Sequence, residues 1–403
     1  MLERKRKLDC ANGREKADLV LKNGNVLNVF TEEVLKADVA ICGDTIVGVG
    51  EYEGKEEIDC TGKYLVPGFI DAHMHIESCM AAPGELAKVL AKAGTTTIIA
   101  DPHEIVNVSG TKGMDYFLKC AAKLLVNVFF MVPSAVPATD VETNGCGEFL
   151  ASDMMKYVDN ARVLGLGETM RFMECCEGEK RMADKLELFA KKHIDGHAPG
   201  IRGKEVQAYR LAGVENDHEC STAEEVLDKL RAGLHIYVRE GSGAKNLETL
   251  IKTMLDAGVC LDRCAFCTDD KHVEEIRKEG HISTCIRKAI ALGVPVAKAY
   301  KMGSYQAAEF YGLKNYGAIG AGYRADIVFL DDLEQVRPLD VMKDGRILTE
   351  EDYAKDYSVP VPDELLHTVH VGEVTKEKIR LSCDGKTDVI QMNPHQIVTT
   401  HLV

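Results

Sequence analysis

"PGFIDAHMHIES", Pro67 to Ser78, is an apolar run that opens on Pro-Gly and closes on two histidines around one methionine. Side chains alternate between the two faces of an extended strand, so His73 and His75 point the same way, with Asp71 expected beside them. Two imidazoles at one strand end suit a metal ion. Otherwise two polar rings share a crowded face for some other reason.

Downstream of this stretch, apolar β-branched runs alternate with helical patterns such as "GELAKVLAKAG", "AEEVLDKLRAG" and "NLETLIKTMLDAG". Eight strand candidates end near His75, Asp101, Pro133, Glu168, His197, His218, Glu240 and Asp269. Eight strand–helix alternations over roughly 250 residues predict an α/β fold, the (β/α)8 TIM barrel. The flanks read differently. "DLVLKNGNVLNV" and "DVAICGDTIVGVG" on one side, and "GAGYRADIVFLDD" and "VMKDGRIL" on the other, are short strands with Asn-Gly and Gly-Asp turns. The expected organisation is therefore a barrel over 67–317, with residues 1–66 and 318–403 meeting in a small β-sandwich-like domain built from both chain ends.

Composition narrows the partners. With Lys+Arg 49 and Asp+Glu 64, the 403-residue chain carries a net charge of −15. Such a surface argues against nucleic acid or an anionic membrane. The basic "ERKRK" from Glu3 to Lys7 is expected to be a solvated leader. No signal-like or membrane-spanning apolar run is read, so a cytoplasmic protein with reduced thiols is expected. Cys264 and Cys267 form a C-x-x-C, but an offset of three on a strand puts the two thiols on opposite faces.

Barrel enzymes work at the C-terminal ends of their strands. "DAHMH", "ADPHE", "GLGE", "DGH", "NDH" and "CTDD" place polar residues at six of those ends. Their convergence on one rim predicts a site for one or two divalent ions such as Zn, Fe, Mn or Co. Two ions need an anion between them, and Glu168, next to the glycines of "GLGE", is the candidate. Bound cations lower the pKa of water, and Asp269 is placed both to bind metal and to shuttle a proton. These parts make a hydrolase without an organic cofactor.

"PGFIDAHMHIES", "ADPHEIVNV", "GLGETM", "DGHAPG", "NDHEC", "REGS" and "CTDD" together resemble the adenine deaminase family of the amidohydrolase superfamily, from about Asp18 to the last residue. The resemblance implies a dinuclear centre, commonly supplied with Mn or Fe, that hydrolyses adenine to hypoxanthine and ammonia. It implies His73, His75 and Asp269 on the first ion, His197 and His218 on the second, and Glu168 bridging. Asp269 would be the catalytic base, and Glu219 would protonate or hydrogen-bond a ring nitrogen. Asp101, His103, Glu104, Arg239 and Ser242 are candidates for substrate contact. Glu77 is read as a turn or helix-start residue. The family usually continues well beyond the segment matching "NPHQIVTTHLV". A homo-oligomer is left open. So are another cyclic amidine or amide hydrolase on this scaffold and a non-catalytic metal- or purine-binding fragment.

Overall fold

The computed structural model describes residues 2–368, 370–383 and 385–403. Eight short parallel strands form the central barrel: β1 (Phe69–Met74), β2 (Thr95–Ala100), β3 (Asn127–Val132), β4 (Val163–Thr169), β5 (His193–Gly196), β6 (Asn216–Asp217), β7 (His235–Arg239) and β8 (Cys264–Cys267). Neighbours in sequence are neighbours in space, with β1 to β5 and β6 to β8 continuously paired. The Glu215 amide donates to Ile194 O (3.0 Å) and joins the two arcs on one side. On the other, the Asp269 amide donates to His73 O (3.0 Å) and the His75 amide to Asp269 O (3.1 Å). The closing bonds thus run through the polar strand ends themselves.

Helices follow the strands and cover them. Pro83–Lys92 has a proline at its start and buries Leu86, Ala87, Leu90 and Ala91, the spacing of one helical face. Ala223–Arg231 is capped by Thr222, whose hydroxyl accepts from the Glu225 amide while Glu225 reaches back. Inside the barrel, Ile70, Ala72, Ile99, Met131, Tyr237, Ala265 and Cys267 pack with Ala307, Ala308 and Tyr311. Cys264 packs in a different cluster, with Leu250, Ile251 and Met254. The two thiols of the C-x-x-C therefore sit on opposite sides of β8, and no described cysteine is bridged.

The small domain is one eight-stranded sheet drawn from both flanks. Ala17–Asn28, Glu33–Cys42, Thr45–Gly50, Gly54–Asp59 and Tyr64–Pro67 come from the first flank, and Ile327–Leu330, Asp340–Lys343 and Arg346–Ile347 from the second. The seam is the antiparallel pairing of Tyr64–Pro67 with Ile327–Leu330. The chain passes from this sheet into β1 at Gly68. A Cβ there would lie 2.2 Å from Thr96 Oγ1, so the passage requires glycine.

The basic stretch near the N-terminus keeps Glu3, Arg4 and Lys5 exposed, as a solvated segment does. It forms the helix Leu2–Ala11, which buries Cys10 against Ala17, Val20 and Ala40, while Arg6 pairs with Glu15 and Asp18. Of the block 318–403, the strands up to Ile347 join the small sheet, but the hairpin Val389–Met392/Thr399–Leu402 pairs only with itself. Its tip rests instead against the barrel mouth, with Lys245 N donating to His395 O (3.1 Å). No helix among the described residues is long and apolar enough to cross a membrane.

Candidate metal centre

The strand ends deliver their polar side chains to one point. His73 is the last residue but one of β1 and His75 follows the strand, their ring centroids 5.0 Å apart. Glu168 belongs to β4, His197 and His218 come just after β5 and β6, and Asp269 comes two residues after β8. Asp269 has a left-handed backbone (φ 55°) fixed by its two bonds to β1. Such a conformation is uncommon outside glycine, and aspartate adopts it more readily than most residues.

Around Glu168 the distances are short on both sides. Its Oε1 lies 3.4 Å from His75 Nε2, and its Oε2 lies 2.7 Å from His197 Nδ1 and 3.4 Å from His218 Nε2. Asp269 Oδ1 is 3.2 Å from His75 Nε2 and 3.6 Å from His73 Nε2. Atoms that share one ion at about 2.0–2.2 Å sit roughly 3–3.5 Å apart, so these spacings fit ligands around common centres. His73 with His75 and Asp269, His73 with Glu168 and His218, and His197 with His218 and Glu219 each form a group able to hold a metal ion. Both ring nitrogens of His73 and of His218 are buried without a hydrogen-bond partner. Buried polar atoms are rarely left unpaired, and a cation at this point would satisfy them.

Charge is arranged accordingly. Burial opposes ionisation of Glu168, but His197 and His75 outweigh it and hold the carboxyl well below the usual carboxylate range. Asp269 is likewise held low, against burial, by His73 and His75. His73 is pushed down by burial and by His218 beside it, so it favours the neutral form that binds metal.

The surroundings orient these groups. His75 Nδ1 is 2.9 Å from Asp101 O, and Asp101 Oδ2 accepts from the Glu168 amide (2.9 Å). Asp101 is fully buried behind Glu168, with Oδ2 on the backbone of β4 and Oδ1 without a hydrogen-bond partner. The glycine before Glu168 serves the same contact, because a Cβ at Gly167 would come within 2.2 Å of Asp101 Oδ2. The expected place of Asp71 is corrected. Its carboxylate accepts from Thr268 Oγ1 (2.6 Å) and lies 3.1 Å from His281 Nε2, locking β1 to β8 instead of joining the imidazoles. Glu77 accepts from the Ile105 amide (2.9 Å), at the start of the helix His103–Ser109. Burial, and then Glu104, push its carboxyl up to about 8.

His103 and Glu104 stand at the rim, with Glu104 Oε2 3.4 Å from His75 Nδ1. Ser242 lies farther out, where its hydroxyl accepts from the His272 amide (3.0 Å). Arg239 is wholly buried. Its Nη1 bonds both Glu219 and Asp269 Oδ2 (2.8 Å from the latter), and its Nη2 donates to Asn246 Oδ1 (3.0 Å). Sequence reasoning missed Asn246, and also the buried pair Lys229–Asp217 (2.8 Å). Asp217 accepts from the Ala198 and Glu219 amides (2.9 Å each), so it sets the turns that carry His197 and His218. A carboxylate directly before a strand-end histidine and a lysine twelve residues on were the only signals.

Comparison with known proteins agrees with this geometry. The model of the amidohydrolase family matches residues 64–348. The chain is 46% identical over 391 residues to an adenine deaminase of Desulfitobacterium hafniense, covering 97% of this chain and 68% of that protein. It is 45% identical over 387 residues to an adenine deaminase of Clostridium acetobutylicum, covering 95% and 67%. Among solved structures, an atrazine chlorohydrolase of Arthrobacter aurescens complexed with zinc superposes with a TM-score of 0.62 at 16% identity, over 83% of this chain and 96% of that one. A β-aspartyl dipeptidase of Fervidobacterium islandicum superposes at 0.60, with 18% identity over 84% and 98%. At that identity the structures speak for the fold alone. Taken with the family match and the curated relatives, they show that the chain belongs to the amidohydrolase family and, within it, to the adenine deaminases.

Proposed function

We propose that this chain hydrolyses adenine to hypoxanthine and ammonia at a dinuclear metal centre in the barrel mouth, with residues 67–317 as the catalytic unit. The observation that supports this most is the single carboxylate of Glu168, which turns one oxygen to His75 and the other to His197 and His218. In this reading His73, His75, Asp269 and Glu168 hold one ion, and His197, His218 and Glu168 hold the other. Mn or Fe suits this nitrogen and oxygen set, as do Zn and Co. Bound there, divalent ions bring the pKa of water toward neutrality and so supply the nucleophile at pH 7.

The chain's own groups do the rest. Asp269 stays ionised beside His73 and His75, so it can take the proton of the attacking water as C6 of the purine becomes tetrahedral. It then returns that proton to the exocyclic nitrogen, which leaves as ammonia. One water enters and one ammonia departs. Glu219 has Oε1 bound to Arg239, whereas its Oε2 is buried without a partner. That free oxygen is suited to accept from a purine ring N–H. His103, Glu104 and Ser242 at the rim are the remaining substrate contacts in this reading.

The test is adenine-to-hypoxanthine conversion by the intact chain, with and without added Mn. The expected result is Mn-stimulated turnover that Glu168→Gln lowers by on the order of 100-fold or more. Turnover of guanine, cytosine or dihydroorotate with adenine inert would overturn the substrate. Bound metal with no turnover of any of them would support a non-catalytic role.

A further inference from the structure

The hairpin Val389–Met392/Thr399–Leu402 brings its turn to the barrel mouth, where Lys245 N donates to His395 O. Its tip, from Asn393 to Ile397, faces the loops after β7 and β8 across a cavity of about 300 Å³. The opposite wall of that cavity includes Arg239, Gly241, Asp269 and Asp270. Among the proposed ligands Asp269 lines it, so it borders the candidate metal centre there. Its volume lies at the small end of the roughly 300–1,000 Å³ found for ligand pockets, a size suited to a planar base without a sugar.

The tip is built and fastened. Asn393 Nδ2 donates to Val398 O (3.0 Å) and Thr400 Oγ1 (3.1 Å), so this side chain closes the turn itself. His395 adopts a left-handed backbone (φ 60°), and its carbonyl accepts from Lys245 N (3.1 Å). Gln396 points the other way, toward the barrel, and its Oε1 accepts from Asn246 Nδ2 (2.9 Å). The orientation of Asn246 is forced. Arg239 has only donors, so Asn246 must offer it Oδ1, which leaves Nδ2 for Gln396. An unbroken line of hydrogen bonds thus runs from the hairpin through Asn246 and Arg239 to Glu219 and Asp269.

We propose that this hairpin is the outer wall of the purine-binding cavity, and that Gln396 is a positioning residue that holds it over the centre. The inference rests on the proposed deaminase reading and adds to it a binding element supplied from outside the barrel. What Gln396 contributes is an acceptor, so a carboxylate can replace the amide at this position and an apolar side chain cannot.

Steady-state kinetics on adenine with the full-length chain tests this, comparing Gln396→Met with Gln396→Glu. The expected result for Gln396→Met is a rise in KM on the order of tenfold, the effect of one lost, partly buried hydrogen bond, with a smaller fall in kcat. Gln396→Glu is expected to restore most of the KM. A merely structural defect would reduce the active fraction, so kcat would fall and KM would stay unchanged in both variants. That pattern, or a KM unaltered by Gln396→Met, overturns the proposal while leaving the deaminase reading intact. An intact chain inert toward adenine overturns both.

Discussion

Arg239 is the residue on which the charge balance of the site turns. Without side-chain exposure, it faces two carboxylates, Glu219 and Asp269, and its Nη2 donates to Asn246. Removing one partner of a buried charge cluster leaves the others uncompensated, at a cost of about 3–5 kcal/mol. Arg239→Met is accordingly expected to lower unfolding free energy by that amount in urea denaturation, although methionine fills much of the same space. A loss under 1 kcal/mol would mean that the two carboxylates do not depend on it. The six proposed ligands were legible because His, Asp and Glu at successive strand ends have one economical explanation. Arg239, Asp217 and Lys229 were harder to read. Their roles depend on which buried partner each meets, and spacing along the chain does not encode that.

At the scale of the element, the eight barrel strands were legible from apolar runs ended by polar residues, even where β6 is reduced to Asn216–Asp217. Gly167 makes room for Asp101, which then holds the Glu168 amide, a contact that spacing along the chain does not encode. Pro67-Gly68 marked the start of β1 correctly, and the structure supplies the reason: backbone and Thr96 are too close for any Cβ. Gly68→Val is expected to destabilise the fold by about 1–3 kcal/mol through overpacking, lowering the thermal midpoint without changing the metal content of the folded fraction. An unchanged midpoint would show that the passage between sheet and barrel can shift at no cost. The docked hairpin could not be read at all, because its alternating strands carry no sign of what the turn between them touches.

Across the whole molecule, acidity acts on more than the metal centre. Asp195, buried in β5, accepts from Tyr311 Oη (2.7 Å) and from Asn216. Burial pushes its carboxyl up to about 6, despite those two donors. The folded value exceeds the unfolded one, so this group's stabilisation is full below the ordinary carboxylate pKa near 4. It is lost as pH rises through about 6. Asp195→Asn mimics the protonated form and is expected to gain on the natural chain between pH 4 and 6, by on the order of 2–3 kcal/mol, and to hold that gain above pH 6. Urea midpoints measured for both proteins across that range check it, and a constant difference would place the ionisation elsewhere.

The account as a whole rests on Glu168 joining two ion sites into one centre. The most direct measurement is the metal content per chain after loading with Mn, for the natural chain and for Glu168→Gln, by inductively coupled plasma mass spectrometry. The account predicts about two ions per chain in the former and a clear loss of bound ions in the variant. A content that stays the same when Glu168 is replaced would contradict it.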